Sequence, residues 1–342
     1  MIARVHFLNV GQGDCCVIEH VSQRITLVDI SKGNLSEPDR RSAALMEQVF
    51  GSSRVRGDFG MSRRPTNPIS YLNSLGVTDV FRFVLTHPDM DHLDGFDALA
   101  DEFWIQNFWD SGVRRDKPGF EGTRYREEDW DRYVKFRDGL EPGVTVVHPR
   151  AGSSFQFANK DEENAPGGDG LSVLAPTKEL VSAACNADVC NDASYVMLYR
   201  SAGGRILIPG DAHDETWNQV VKNYSRNIAN ASILLAPHHG RRSGCDFSFL
   251  DTIRPKLTLF GCASSGDLAY EEWRSRGLPV ITNNQAGNVV LEINPGTIDV
   301  FVENEEFASA LNVNTAIRNS QGYIRLGAVT QTSDLEPAAK VY

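Results

Sequence analysis

Apolar positions come in short bursts along this chain, separated by turn-forming residues. Near the start, RVHFLNV (residues 4–10), CCVIEH (15–20) and RITLVDI (24–30) are runs of β-branched and aromatic side chains broken by Gly11-Gln12-Gly13 and by polar turns. That punctuation predicts an opening β-meander. A polar stretch over residues 31–66, holding Arg40, Arg41, Arg54, Arg56, Arg63 and Arg64, reads as an inserted loop or lid, after which NPISYLNSLGV resumes with helical spacing. VFRFVL (80–85) is a buried strand that Pro88 forbids from continuing. Residues 101–143 mix aromatics with charges and read as an amphipathic surface helix with core aromatics. Later, SYVMLYR, RILIPGD, SILLAP, KLTLFGC, LPVIT and NVVLEI are further strands, enough for two sheets. No internal repeat is evident, and residues 303–342 show no period.

Composition narrows the class without naming a chemistry. A chain of 342 residues with 41% hydrophobic and 23% charged positions can bury a large core. No run approaches a membrane span, and MIARVHFLNVGQGD turns polar too early for a signal peptide, so a cytoplasmic protein without membrane partners is expected. The six cysteines lack C-x-x-C pairing and are expected as buried free thiols. A formal net charge of -11 disfavours non-specific wrapping of nucleic acid, although it leaves room for a local basic cleft.

Candidate chemistry sits at strand ends. In VLTHPDMDHLDGF, the side chains of His87, Asp89, Asp91 and His92 follow a buried strand within a single loop. Imidazole and carboxylate are ligands for zinc, and carboxylates shift the preference toward harder ions such as manganese. A helix cap accounts for one Asp in this loop. It does not account for two histidines beside two carboxylates. Asp211, in RILIPGDAHDE, and His238 and His239, in SILLAPHHGRRSG, also follow strands. Three such clusters can converge on one sheet edge.

Taken together, FLNVGQGDC, LVDI, NPISYLNSLGV, VLTHPDMDHLDG, NDASYVMLY, ILIPGDA and LLAPHHG resemble the metallo-β-lactamase fold, specifically the branch containing the hydrolase domain of the ComEC DNA-uptake channel. The resemblance runs from about residue 2 to 293. It implies an α/β protein built as a four-layer αββα sandwich; a stand-alone hydrolase domain over residues 1–302, without the channel's membrane segments, and an extension of unknown role over 303–342 are expected. It also implies two divalent metal ions, zinc or manganese. His87 and Asp89 would hold one ion, Asp91 and His92 the other, with Asp211 bridging and His239 or His238 completing the second site. Asp91 and Asp211 are then the catalytic carboxylates, and Asp14 and Asp29 would orient ligand imidazoles.

The chain also departs from the family. His148 aligns poorly with a further family histidine, and the His-Pro pair expected after KLTLFGC is replaced by ASSGDLAYEEW. His213 could compensate or lie at the surface. Arg241 and Arg242, after the HHG segment, put cations beside the site and suggest an anionic substrate, a nucleotide or nucleic acid, gripped by guanidinium forks. The expected activity is that of a phosphodiesterase or nuclease. A carboxylic ester or lactone hydrolase, or a non-catalytic metal-binding interaction protein, is the alternative.

Overall fold

A computed structural model describes residues 2–36, 57–264 and 266–331. Strands are numbered here in chain order. β1 (Arg4–Phe7), β2 (Cys16–Glu19) and β3 (Ile25–Val28) pair antiparallel, with Phe7 opposite Cys16 and Cys16 opposite Val28. β3 then pairs in parallel with β4 (Asp79–Leu85), which continues in parallel to β5 (Trp104–Asp110) and β6 (Thr145–Val147). On the other side of β1, β13 (Val289–Asn294), β14 (Thr297–Val302) and β15 (Ile324–Thr330) complete a nine-stranded sheet. The second sheet has six strands: β7 (Leu171–Ala175), β8 (Val196–Ser201), β9 (Gly204–Ile208), β10 (Ile233–Leu235), β11 (Leu257–Phe260) and β12 (Val280–Thr282), the last four parallel.

Strand side chains alternate between faces, so each sheet can bury two surfaces. One face of each sheet meets the other in a shared core that includes Val5, Ile18, Val84, Met197, Ile208 and Leu259. The opposite face of the large sheet, with Leu27, Phe83 and Phe108, packs against Leu72, Phe96, Leu99, Tyr133 and Phe136 from helices. The outer face of the small sheet, with Leu198, Leu207 and Leu234, takes Trp217, Val220, Leu250 and Trp273. The layers are helix, sheet, sheet, helix. This is an αββα sandwich.

Three features differ from the sequence reading. Residues 101–143 are not one helix: Ile105, Phe108 and Trp109 lie on β5, inside the large sheet, and only Glu127–Arg137 is helical there, burying Trp130, Tyr133 and Phe136. The β-forming cluster at 103–109 outweighs the surrounding charge. The segment after residue 302 carries the sandwich onward, because Phe307, Ala308 and Ile324 are buried in the shared core and β15 extends the sheet. The Asp residues in DHLDGF do not cap the helix Phe96–Glu102. Asp129, from the helix Glu127–Arg137, accepts from the Gly95 and Asp97 amides instead. Most of the expected loop or lid at 31–66, namely 37–56 with Arg40, Arg41, Arg54 and Arg56, lies outside the described residues.

All six cysteines are free, four of them buried. No helix among the described residues is long and apolar enough to cross a membrane.

Candidate metal centre

Parallel pairing brings the three polar clusters together. β3 and β4 run side by side with Val28 opposite Val84, so Asp29 and the Thr86-His87 pair leave the sheet together. In the other sheet Leu207 faces Leu234, and Asp211 and His238 each lie four residues further on. Both pairs emerge at the same edge of the sandwich. The opening turn joins them: a Cβ on Gly13, whose φ is +110°, would stand 2.3 Å from the Asp91 carbonyl oxygen. A side chain there would push the turn that carries Asp14 away from the site.

The backbone at this edge is also strained. His238 and His239 both adopt left-handed conformations (φ 50° and 58°), as does Asp29 (φ 57°). Such residues persist where the surroundings over-determine them. Gly240 follows at φ +88°, with Phe260 where its Cβ would be.

Each imidazole is held by its far nitrogen. His92 Nδ1 lies 2.8 Å from Asp29 Oδ2, and His239 Nδ1 lies 2.9 Å from Asp14 Oδ1. An ionised carboxylate only accepts, so each Nδ1 carries a proton and Nε2 is the nitrogen left to face the cluster. Thr86 donates its backbone N–H and its hydroxyl to Asp29, and its oxygen lies 3.1 Å from His87 Nδ1, where it can accept. Ser243 Oγ and His213 Nε2 contact His238 Nδ1 at 2.6 and 3.1 Å.

The near nitrogens converge on Asp211. His92 Nε2 is 3.3 Å from its Oδ1, while His87, His238 and His239 Nε2 are 3.8, 3.5 and 3.6 Å from its Oδ2. His87 Nε2 is 3.5 Å from Asp89 Oδ2, and His239 Nε2 is 3.4 Å from Asp91 Oδ2. His87, His238 and His239 thus share one Asp211 oxygen, and His239 also faces Asp91.

Charge follows this packing. Burial alone would push the Asp211 carboxyl up, but the imidazoles of His239, His92 and His87 hold it well below the carboxylate range. Burial would lower His92 and His239. Asp211 with Asp29, and Asp211 with Asp14, raise them instead. Burial prevails at His238, which is lowered to about 4 although Asp211 opposes the shift.

A divalent cation fits this donor set. The ligand atoms of His87, His92 and Asp211 lie within 4.8 Å of one another, as do those of Asp91, His92 and His239, and those of Asp14, Asp211 and His239. The Nε2 atoms of His87, His92 and His239 and Oδ1 of Asp211 are buried without a hydrogen-bond partner. An unpartnered buried polar atom is costly, and four facing one another call for a shared cation.

An αββα sandwich with its H-x-D-x-D-H, GDA and HHG segments gathered at one edge has a recognisable layout. This layout resembles the metallo-β-lactamase fold. No family model matches it. The competence protein ComA of Neisseria gonorrhoeae is 26% identical over 203 residues, covering 59% of this chain and 22% of that protein; the chain thus matches about a fifth of the length of this curated relative. Among solved structures it is similar to Igni18, a metallo hydrolase from Ignicoccus hospitalis (TM-score 0.44, 13% identity, 85% of this chain and 100% of that one). It is similar also to Tm1679, a metal-dependent hydrolase of the β-lactamase superfamily (TM-score 0.44, 12% identity, 82% and 95%). A diphosphatase of the PhnP family shows a TM-score of 0.39 at 14% identity over 86% of this chain and 99% of that one.

Other predicted residues fall at or beyond the rim of this site. Arg241 lies 3.8 Å from exposed Asp267, and Arg242 donates to the Leu268 carbonyl. His148 sits on Asp110, at 3.3 Å from its carboxylate. His213 precedes the helix Asp214–Ile228, between His238 and Asp192. Sequence reasoning passed over Thr86, Asp192, Ser243 and Arg115. Thr86 directly precedes His87, a signal available in the sequence. Arg115, paired with Asp89, had none within its own segment.

Proposed function

We propose that this protein is a metal-dependent hydrolase that cleaves a phosphodiester in a nucleic acid or small nucleotide. The observation that carries this reading is the set of buried, unpartnered ligand atoms at the sandwich edge. Two divalent ions, zinc or manganese, would be held by His87, Asp89, His238 and Asp211 on one side and by Asp91, His92, His239 and Asp211 on the other. When bound, such ions supply Lewis acidity and bring the pKa of water toward neutrality.

The chain's own residues do the rest. Asp14, Asp29 and Thr86 fix imidazole orientation from behind, so the ligand atoms are in place before anything binds. Arg241, whose guanidinium is half-exposed beside Asp267, supplies a cation on the flank of the HHG turn. An anionic phosphodiester gains from that flank at binding; a neutral lactone or carboxylic ester gains far less.

The test is an assay panel of single-stranded DNA, RNA, a cyclic dinucleotide, bis(p-nitrophenyl) phosphate and a lactone, run with manganese or zinc and again after chelation. Phosphodiester cleavage that chelation removes and metal restores is the expected result. Cleavage of the lactone alone would transfer the reading to carboxylic esters. Tight metal binding without turnover on any substrate would make this a binding protein.

A further inference from the structure

The loop between β5 and the helix Glu127–Arg137 reads SGVRRDKPGFEGTRYR (residues 111–126). It carries Arg114, Arg115, Lys117, Arg124 and Arg126 against Asp116 and Glu121, in a chain whose formal net charge is -11. The register of β4 on β5 pairs Leu85 with Asp110. The loop that follows Leu85, with its candidate ligands, and the cationic loop therefore leave the sheet side by side.

The cationic loop is anchored at two places. Val113 is fully buried in a small cluster with Ala184, Cys190 and Ala193. Phe120 and Tyr125 pack on the outer core. Arg124 lies 3.6 Å from the Asp94 carboxylate, which holds this part of the loop against the segment that follows the candidate ligands.

Most of the loop's cations have partners away from the cluster. Arg114 binds Asp110, Lys117 binds Glu127 and Asp131, and Arg124 donates to the Gln12 carbonyl. Arg115 binds Asp89 Oδ1, while the other Asp89 oxygen faces His87.

This pair differs from those behind the imidazoles. His92 and His239 meet Asp29 and Asp14 almost out of solvent, whereas the Arg115 and Asp89 side chains are 30% and 27% exposed. A partly solvated ion pair is held less firmly than a buried one, so exchanging its partner costs less. A guanidinium also has five N–H donors, and only one is recorded on Asp89. Asp89 is, moreover, a carboxylate whose charge a bound cation would share. Its hold on Arg115 weakens as the site fills.

We propose that Arg115 is the residue that grips the anionic oxygens of the substrate, and that its pair with Asp89 is a resting contact given up when a divalent cation and an anion enter. This rests on the phosphodiester reading for the identity of the anion. The segment 114–119, held at both ends, then forms a cationic side of the site.

The test uses full-length Arg115→Ala and Arg115→Lys, with thermal melting to establish that each folds. Manganese alone is titrated by calorimetry; inorganic phosphate is then titrated into the manganese-saturated protein. Arg115→Ala is expected to bind manganese as tightly as the parent or a few-fold more tightly, and phosphate at least tenfold more weakly. Arg115→Lys should recover part of the phosphate affinity, since the charge remains and the planar fork is lost. On a phosphodiester, KM should rise at least tenfold in Arg115→Ala with a smaller change in kcat. Phosphate affinity within twofold of the parent, or manganese affinity reduced tenfold with phosphate affinity kept, makes Arg115 a prop for Asp89 and overturns the proposal. If the parent cleaves no phosphodiester, the functional reading fails, and the two titrations still decide the role of Arg115. If Arg115→Ala does not fold, the same titrations on Arg115→Lys decide it: phosphate affinity equal to the parent overturns the proposal.

Discussion

Charged groups are buried at both ends of the sandwich, with opposite outcomes. At the end where β2 turns into β3, Arg82 is 1% exposed and its Nη1 lies 3.6 Å from Asp169 Oδ2. Asp169 also accepts from Ser22 Oγ and Arg24 Nη1, and Arg82 donates to Thr26 Oγ1 and the Phe157 carbonyl. Burial lowers the Arg82 guanidinium to about 10, against the pull of Asp169, so it stays charged at neutral pH. Here the chain supplies its own counterions, although Arg82 Nε and Asp169 Oδ2 make no hydrogen bond. At the other end Asp211 Oδ1 and three Nε2 atoms are buried facing one another without a hydrogen-bond partner, and without metal the counter-charge to Asp211 comes from protons on His92 and His239. Internally paired charge ties two sheets together, whereas unpaired ligand atoms leave a place for something from outside.

The sharpest way to break this contrast is to remove one carboxylate from each end. Asp211→Ala should lower kcat/KM by at least about ten-thousandfold, ~5.5 kcal/mol in the barrier. Activity near the parent level in a folded, metal-supplied variant would show that Asp211 holds no metal.

Asp169→Ala should do the reverse. It leaves Arg82 and Arg24 without their shared anion, a loss of about 3–5 kcal/mol of stability by denaturant unfolding. Activity per folded molecule should be unchanged. A variant as stable as the parent would mean that the Arg82 pair does not join the sheets.

These two ends were unequally legible in the sequence. His87, Asp89, Asp91 and His92 fall in one loop, and Asp211 and the His238-His239 pair each follow an apolar run, so local pattern alone marked the candidate ligands. Their support was harder to see. Asp14 and His239 are 225 positions apart, and Asp89 and Arg115 are 26 apart, joined only by the parallel register of β4 on β5. Asp169 lies in a polar loop with no pattern, and nothing local says that it will meet Arg82. β14 and β15 were overlooked because TIDVFV and IRLGAVT interleave polar with apolar residues, as strands with one buried face do. Ligand sets are local along a chain; counterions and edge strands are chosen by topology.

The smallest expected effect is in pH dependence, where His20 should differ in sign from His92 and His239. His20 packs against Tyr199 and faces Asp169, Arg82 and Arg24; burial lowers it to about 4, with Asp169 opposing and the two arginines reinforcing the shift. The unfolded chain, with a histidine pKa of roughly 6.5, then binds more protons than the folded chain between these two values. The stability from neutral His20 is fully present above pH 6.5 and is lost as pH falls toward 4, by up to about 3 kcal/mol. His92 and His239 are raised in the metal-free protein, so their contribution is present below the unfolded pKa and is lost as pH rises through the folded value. His238, lowered to about 4, follows the sign of His20. Urea unfolding of parent and His20→Gln from pH 4 to 8 separates these terms: the variant keeps a neutral side chain near Thr26, so its stability should fall less steeply below pH 6.5. Parallel curves would mean that His20 takes up its proton without cost. Adding manganese should flatten the alkaline limb alone, because ligand imidazoles must shed protons to bind. An alkaline limb unchanged by metal would remove His92 and His239 from the ligand set and leave the buried cluster unexplained.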